Sequence, residues 1–180
     1  MMLRPSIRGF TIVELLVVLA IIGVLATVIL ANLNQGRDRA AVANELRQLQ
    51  EIEKALRVYL IDDGRAQWWR ATGGSFITIN QLRADNPGLE DFLQPLGRPY
   101  LNPNREYQYA NYNSDPASDC NDRLEGISIR IDQANAVNAD AMAMLDDEVD
   151  GGDGSDCGRI RWGGSSNSLY YIIANDIDDL

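Results

Sequence analysis

The residue in this sequence that most needs a chemical reason is Glu14. It stands at the head of an apolar run: Leu15–Leu33, LLVVLAIIGVLATVILANL, is 19 residues without a charge. A carboxylate in the hydrocarbon of a bilayer is costly, and an acid so placed is a functional-site hypothesis by default, with a positive charge at the same depth as its natural partner. No Lys or Arg occurs in the run, and Arg4 and Arg8, the only charges among the first nine residues, precede it. Cleavage between Gly9 and Phe10 creates the missing partner, because the new α-amine of Phe10 is a cation four residues from Glu14. The chemistry this spacing would allow, were the chain cut there, is an ion pair between that amine and Glu14.

Other chemistry is thinly represented. The chain has 180 residues and no histidine, which excludes His-based triads and the commonest zinc sets. Two cysteines, Cys120 and Cys157, exclude a four-cysteine metal site. The even pair permits one disulfide where the compartment is oxidising, and two buried thiols otherwise. Neither G-x-S-x-G nor a phosphate-binding G-x-x-x-x-G-K-[ST] occurs, so an enzyme is not expected. With 16 Lys+Arg against 26 Asp+Glu, the net charge of −10 disfavours broad contact with nucleic-acid phosphates.

The densest cluster of potential ligands is Asp146–Asp156, with six carboxylates in eleven residues. Such a run repels itself unless solvated or neutralised by a cation. Gly151–Asp156 matches the calcium nonapeptide core G-G-x-G-x-D, but once only, where that architecture stacks many copies. The EF-hand order is absent. Two readings stand side by side: calcium held by Asp150, Asp153 and Asp156, or a solvated acidic turn.

The elements that must position these groups follow from periodicity. Leu15–Leu33 as a helix spans about 28 Å, close to the hydrocarbon thickness of a bilayer. The basic residues before it keep that end cytoplasmic and send the rest outward. A secretory signal has a shorter apolar region and a small-residue cleavage site; neither is found. Beyond the run, Val42, Leu46, Leu49, Ile52, Leu56, Tyr59 and Leu60 recur at helical spacing, with Asp38, Glu45, Glu51, Glu53 and Arg57 assigned to other faces. No proline falls between Thr11 and Ile61, so one helix from about Phe10 to Asp62 is expected, with Asp62-Asp63-Gly64 as its stop. Gly23 and Ala31–Gly36 are the places where it could bend or divide.

The remainder reads as a small mixed head. Phe76–Leu82 and Leu89–Leu93 each suit one short element, and Trp68 and Trp69 suit a core. Strands are expected around Tyr107–Tyr112, at Gly126–Asp132 with Ile127, Ile129 and Ile131 on one face, at Arg159–Trp162 and at Leu169–Ala174. A short helix is expected over Asn135–Val149.

Gly9-Phe10-Thr11-Ile12-Val13-Glu14-Leu15, after a short basic leader and before an apolar helix, resembles the processing motif of type IV pilins and type II secretion pseudopilins. The resemblance is close over residues 1–35 and weak in the head. It implies a prepilin peptidase that cuts after Gly9 and methylates Phe10, and a Glu14 that pairs with the N-terminal amine of a neighbouring subunit. It implies an α+β fold, with a long N-terminal helix packed on a small C-terminal antiparallel sheet. The organisation is then a leader (1–9), a transmembrane or filament-core half-helix (10–34), an amphipathic half-helix (35–63) and a globular head (64–180). The implied partners are further copies in a filament, the peptidase, the pilus or secretion assembly machinery and the membrane. The implied site is the cytoplasmic membrane before assembly, and a surface pilus or periplasmic pseudopilus after it. A Cys120–Cys157 staple is implied too, since many type IV pilins close the head this way. Major pseudopilins bind calcium near the C-terminal sheet, although no residue-by-residue match carries those ligands over. The rival expectations are a type II secretion pseudopilin, a DNA-uptake pilin and a membrane-anchored calcium-dependent adhesion head.

Overall fold

The computed structural model describes residues 11–65, 67–69, 76–112, 126–134, 139–152, 154, 157–163 and 167–174. Two compact units result, Met1–Asp38 and Arg39–Leu180. Helix α1 runs from Ile12 to Asp62, 51 residues, through both Gly23 and Gly36. With no proline to remove a hydrogen bond, the weak helix formers between Ala31 and Gly36 do not end it. It ends where Asp63 and Gly64 were expected to end it. Gly64 takes φ 67, its N–H bonds the Ile61 carbonyl at 3.2 Å, and the Arg65 N–H bonds the Leu60 carbonyl at 2.9 Å. This pair of bonds is the Schellman arrangement, and it needs the left-handed conformation that glycine adopts without strain.

In the first unit, every side chain from Ile12 to Leu30 is exposed, and this stretch of 19 residues is long and apolar enough to cross a membrane. In the second unit, the stripe on α1 is the core-facing one: Leu49, Ile52, Leu56 and Leu60 are fully buried, and Val42 and Tyr59 nearly so.

The head carries a five-stranded antiparallel sheet in the order β1-β2-β3-β5-β4. The strands are β1 (Ile77–Thr78), β2 (Tyr107–Tyr112), β3 (Gly126–Ile131), β4 (Ile160–Gly163) and β5 (Ser168–Ala174). Among the described residues three short helices accompany it: α2 (Ile79–Asp85), α3 (Leu89–Phe92) and α4 (Ala139–Asp150). Phe76–Leu82 therefore holds two elements where one was expected. The cause is Thr78, whose hydroxyl accepts the Gln81 N–H at 3.1 Å and caps α2 directly after the strand.

Ile127, Ile129 and Ile131 share one face and join the core cluster with the α1 stripe, Trp68 and Leu145. The opposite face of β3 is buried as well. There Arg130 lies level with Gln108 and Tyr170 on the neighbouring strands. Its guanidinium donates to Gln108 Oε1 at 2.5 Å, Asp132 Oδ1 at 2.6 Å and Ser168 Oγ at 2.8 Å, and stacks 4.0 Å from the Phe76 ring. A buried arginine is tolerated because a carboxylate and these acceptors satisfy it. The tryptophans close the core as expected: Trp68 is buried, and Trp69 stacks on Tyr59 with centroids 5.8 Å apart.

Candidate functional site

At the start of α1, Thr11 and Glu14 satisfy each other. Glu14 Oε2 accepts the Thr11 backbone N–H and the Thr11 hydroxyl, both at 2.9 Å. The Glu14 N–H returns a bond to Thr11 Oγ1 at 3.2 Å. This is a capping box, in which a Thr and a Glu three residues later exchange bonds and satisfy donors that a helix start leaves orphaned. The carboxylate also lies in the first turn, where the helix dipole favours negative charge. Its surroundings are the exposed apolar side chains Ile12, Val13 and Leu15. Thr11 was passed over in the sequence, although T-x-x-E before an apolar run is a legible signature. Gly9 and Phe10 lie outside the described residues, so the amine expected to face Glu14 is not placed.

A second carboxylate departs from expectation. Glu45, assigned to a face of α1 other than the apolar stripe, is fully buried. Its spacing from Val42 and Leu49, three and four residues, puts it on the core stripe. Two donors meet it there, one from the connecting chain and one from β2: the Leu101 N–H reaches Oε2 at 2.9 Å and the Tyr107 hydroxyl reaches Oε1 at 2.6 Å. Burial pushes the Glu45 carboxyl above its ordinary value, against the bonds from Tyr107 and Leu101 that favour the charged form. Burial, with the adjacent carboxylate, likewise pushes the Tyr107 phenol up.

Lower on the same helix, Glu53 gathers a polar cluster. Arg159 Nη2 lies 2.6 Å from Glu53 Oε2, and the Tyr171 hydroxyl donates to that oxygen at 2.8 Å. Arg57 pairs with the other oxygen at 3.2 Å and also donates to the Ile173 carbonyl. These bonds fasten α1 to β5 and to the start of β4.

The acidic loop is only partly described. Asp150 Oδ2 accepts the backbone N–H groups of Arg159 at 2.8 Å and Ile160 at 2.7 Å, which closes the loop onto β4. Buried Asp146 accepts the Gly154 N–H at 3.0 Å. Asp153 and Asp156 lie outside the described residues, and among the described residues no group of three potential ligands converges on a metal position. Cys157 is half-buried and its expected partner Cys120 is also outside the described residues.

Comparison with known proteins concentrates on the N-terminus. The family model described as "Prokaryotic N-terminal methylation motif" matches residues 4–30. The chain is 38% identical over 64 residues to the "Type II secretion system core protein G" of Klebsiella michiganensis, covering 36% of this chain and 45% of that one. It is 38% identical over 56 residues to the protein of the same name from Escherichia coli, covering 31% of this chain and 39% of that one. To the "Type IV major fimbrial protein FimA" of Dichelobacter nodosus it is 29% identical over 90 residues, 45% of this chain and 56% of that one. The chain thus spans about half the length of the curated relatives it matches, and no solved structure matches it. The resemblance read from Gly9–Leu15 is borne out by the motif and by relatives of both the secretion and the fimbrial kind.

Proposed function

We propose that this chain is the structural subunit of a type IV pilus-like filament, cut by a prepilin peptidase after Gly9, methylated at Phe10 and polymerised through α1. The observation that carries this reading is the one carboxylate at the head of an exposed membrane-length helix, inside a match to the N-terminal methylation motif. Before assembly, Thr11 holds Glu14 and makes an acid tolerable at the edge of the bilayer. After processing, the same carboxylate takes the α-amine of Phe10 from an adjoining copy, as apolar helix contacts replace lipid. Processing is tested on the membrane fraction of cells with and without the peptidase. Intact-mass and N-terminal analysis should give a chain starting at methylated Phe10 only when the peptidase is present. A chain that keeps Met1–Gly9 in both backgrounds contradicts the proposal.

A second reading makes the filament a short periplasmic pseudopilus of a type II secretion system. What favours it is the higher identity to the core protein G relatives than to the fimbrial one. A secretin and secretion ATPase encoded beside the gene support this machine, and pilus-specific components support the other.

Two details of the head belong to the same proposal. Cys157 pairs with Cys120, which would close the segment between β2 and β4 and stabilise the head by roughly 3–4 kcal/mol in the chain-entropy model; non-reducing peptide mapping reads this directly. Calcium at the acidic loop would use Asp153, Asp156 and Asp150 Oδ1, since Asp150 Oδ2 is already held by two N–H groups. Millimolar Ca2+ should then raise the melting temperature of the protein by mass action. An unchanged melting temperature, or an equal shift in Asp153→Ala/Asp156→Ala, leaves the solvated turn.

A further inference from the structure

Two grooves in the head share α1 as a wall and open on different flanks of it. The first, about 410 Å³, lies between α1 at Lys54, Ala55 and Val58 and the segment Phe92–Gly97, with Phe92, Pro95 and Leu96 on its apolar wall. The second, about 560 Å³, lies between α1 at Arg39, Val42, Ala43 and Leu46 and the helix α4 at Met144, Asp147 and Glu148. At 3.6 residues per turn the two sets of α1 residues are separated by roughly a third of a turn.

Their net charges are opposite: Glu51 in the first groove is spent on Arg47, which leaves Lys54, and in the second Asp147 and Glu148 outnumber Arg39. Helix α4 carries five acids and no base. Among the described residues, no ion pair uses Lys54, Asp147 or Glu148, whereas Arg47, Arg57 and Arg159 are all paired. Lys54, Asp147 and Glu148 are exposed. Beside Lys54 stand Val58 and Phe92, large apolar side chains left 38% exposed each. The apolar patch keeps Lys54 as its uncompensated charge, since Glu51 beside it pairs with Arg47, and on the ridge bearing half-buried Met144 two acids outnumber Arg39, so the two surfaces are complementary in net charge.

We propose that the Lys54 groove of one copy receives the α4 ridge of the next, with Asp147 and Glu148 meeting Lys54 and with Met144 packing on Val58 and Phe92. This deepens the filament reading and rests on it, since the partner is a second copy of this chain. A contact between two different surfaces is heterologous, and it builds open-ended assemblies unless its rotation happens to close. The α4 ridge stands level with residues 39–46 of α1 and the Lys54 groove level with residues 48–58. If the helices of successive copies lie parallel, this contact displaces them by about 16 Å along the axis, from a rise of 1.5 Å per residue. The long helix supplies the common axis, and the head contact selects one offset along it.

The test is a charge exchange in the full-length protein, read as filament yield against membrane pool. Lys54→Glu should lower the yield by about tenfold or more, because like charges then face each other across the contact. Combining it with Asp147→Lys and Glu148→Lys should restore most of the yield. A second measurement does not depend on the variants' stability. Cells co-expressing Lys54→Cys and Glu148→Cys copies should give the mixed cross-link with a short bismaleimide, in preference to either like-with-like product. Filaments that form normally with Lys54→Glu, or that yield no mixed cross-link, overturn the head contact and leave the filament reading standing. Wild-type protein that is processed but never leaves the membrane overturns both.

Discussion

Glu14→Ala should accumulate in the membrane, be processed, and be almost absent from filaments. Removing a carboxylate that stands among Ile12, Val13 and Leu15 makes insertion easier. It also removes the acid proposed to meet the Phe10 amine of a neighbouring copy. An amine buried among apolar helices without a counter-charge is penalised by several kcal/mol, so incorporation relative to the membrane pool should fall on the order of a hundredfold. Glu14→Gln separates charge from capping. The amide oxygen can still accept from the Thr11 N–H and hydroxyl, which keeps the helix start intact, yet it offers no negative charge. If capping were the whole role, Glu14→Gln would assemble like the wild type. If pairing with the amine is the role, it fails like Glu14→Ala. A simple membrane anchor predicts normal behaviour for both variants, since no neighbour reads that position.

The second large effect is expected at Glu45. Glu45→Ala leaves the Leu101 N–H and the Tyr107 hydroxyl buried without an acceptor, and each orphaned donor costs about 1–3 kcal/mol. The head should lose roughly 2–5 kcal/mol of stability, visible as a lower denaturation midpoint of the full chain in detergent. Glu45→Gln should fall between, because its single carbonyl oxygen can serve only one of the two donors. The pH dependence has a definite sign. The folded Glu45 carboxyl is raised above its ordinary value by burial, so the native state holds its proton more tightly than the unfolded chain does. Its contribution to stability is fully present below the ordinary carboxylate value and is lost as pH rises through the raised folded value. Comparing wild type with Glu45→Gln across that window isolates this slope. An equal slope in both would show that Glu45 does not titrate as its burial requires.

Much of this was legible because it rests on local rules. The apolar run, the absence of proline and the Asp63-Gly64 stop define α1, and alternation in Gly126–Ile131 marks the central strand. The Gly9–Glu14 motif was readable because its residues are consecutive, whereas the equally local Thr11–Glu14 capping box was passed over. What escaped depends on distant chain. The burial of Glu45 could be suspected from its spacing to Val42 and Leu49, but the donors that make it tolerable arrive from Leu101 and Tyr107, 56 and 62 residues away. Arg130 and Glu53 likewise draw partners from across the strands and from the far end of the chain. The division of Phe76–Leu82 turned on one hydroxyl, that of Thr78. The Lys54 groove and the α4 ridge exist only once the helix, the Phe92–Gly97 segment and α4 are brought together.

The central claim is that this chain leaves the membrane to become the repeating unit of a filament. The direct measurement is the composition of filaments isolated from cells that make the protein and its processing peptidase. The account predicts that their principal subunit is this chain, beginning at N-methylated Phe10, and that Glu14→Ala cells retain the processed chain in the membrane while the filament fraction loses it. Filaments that lack the chain, with the processed protein confined to the membrane in wild-type cells, would contradict the account.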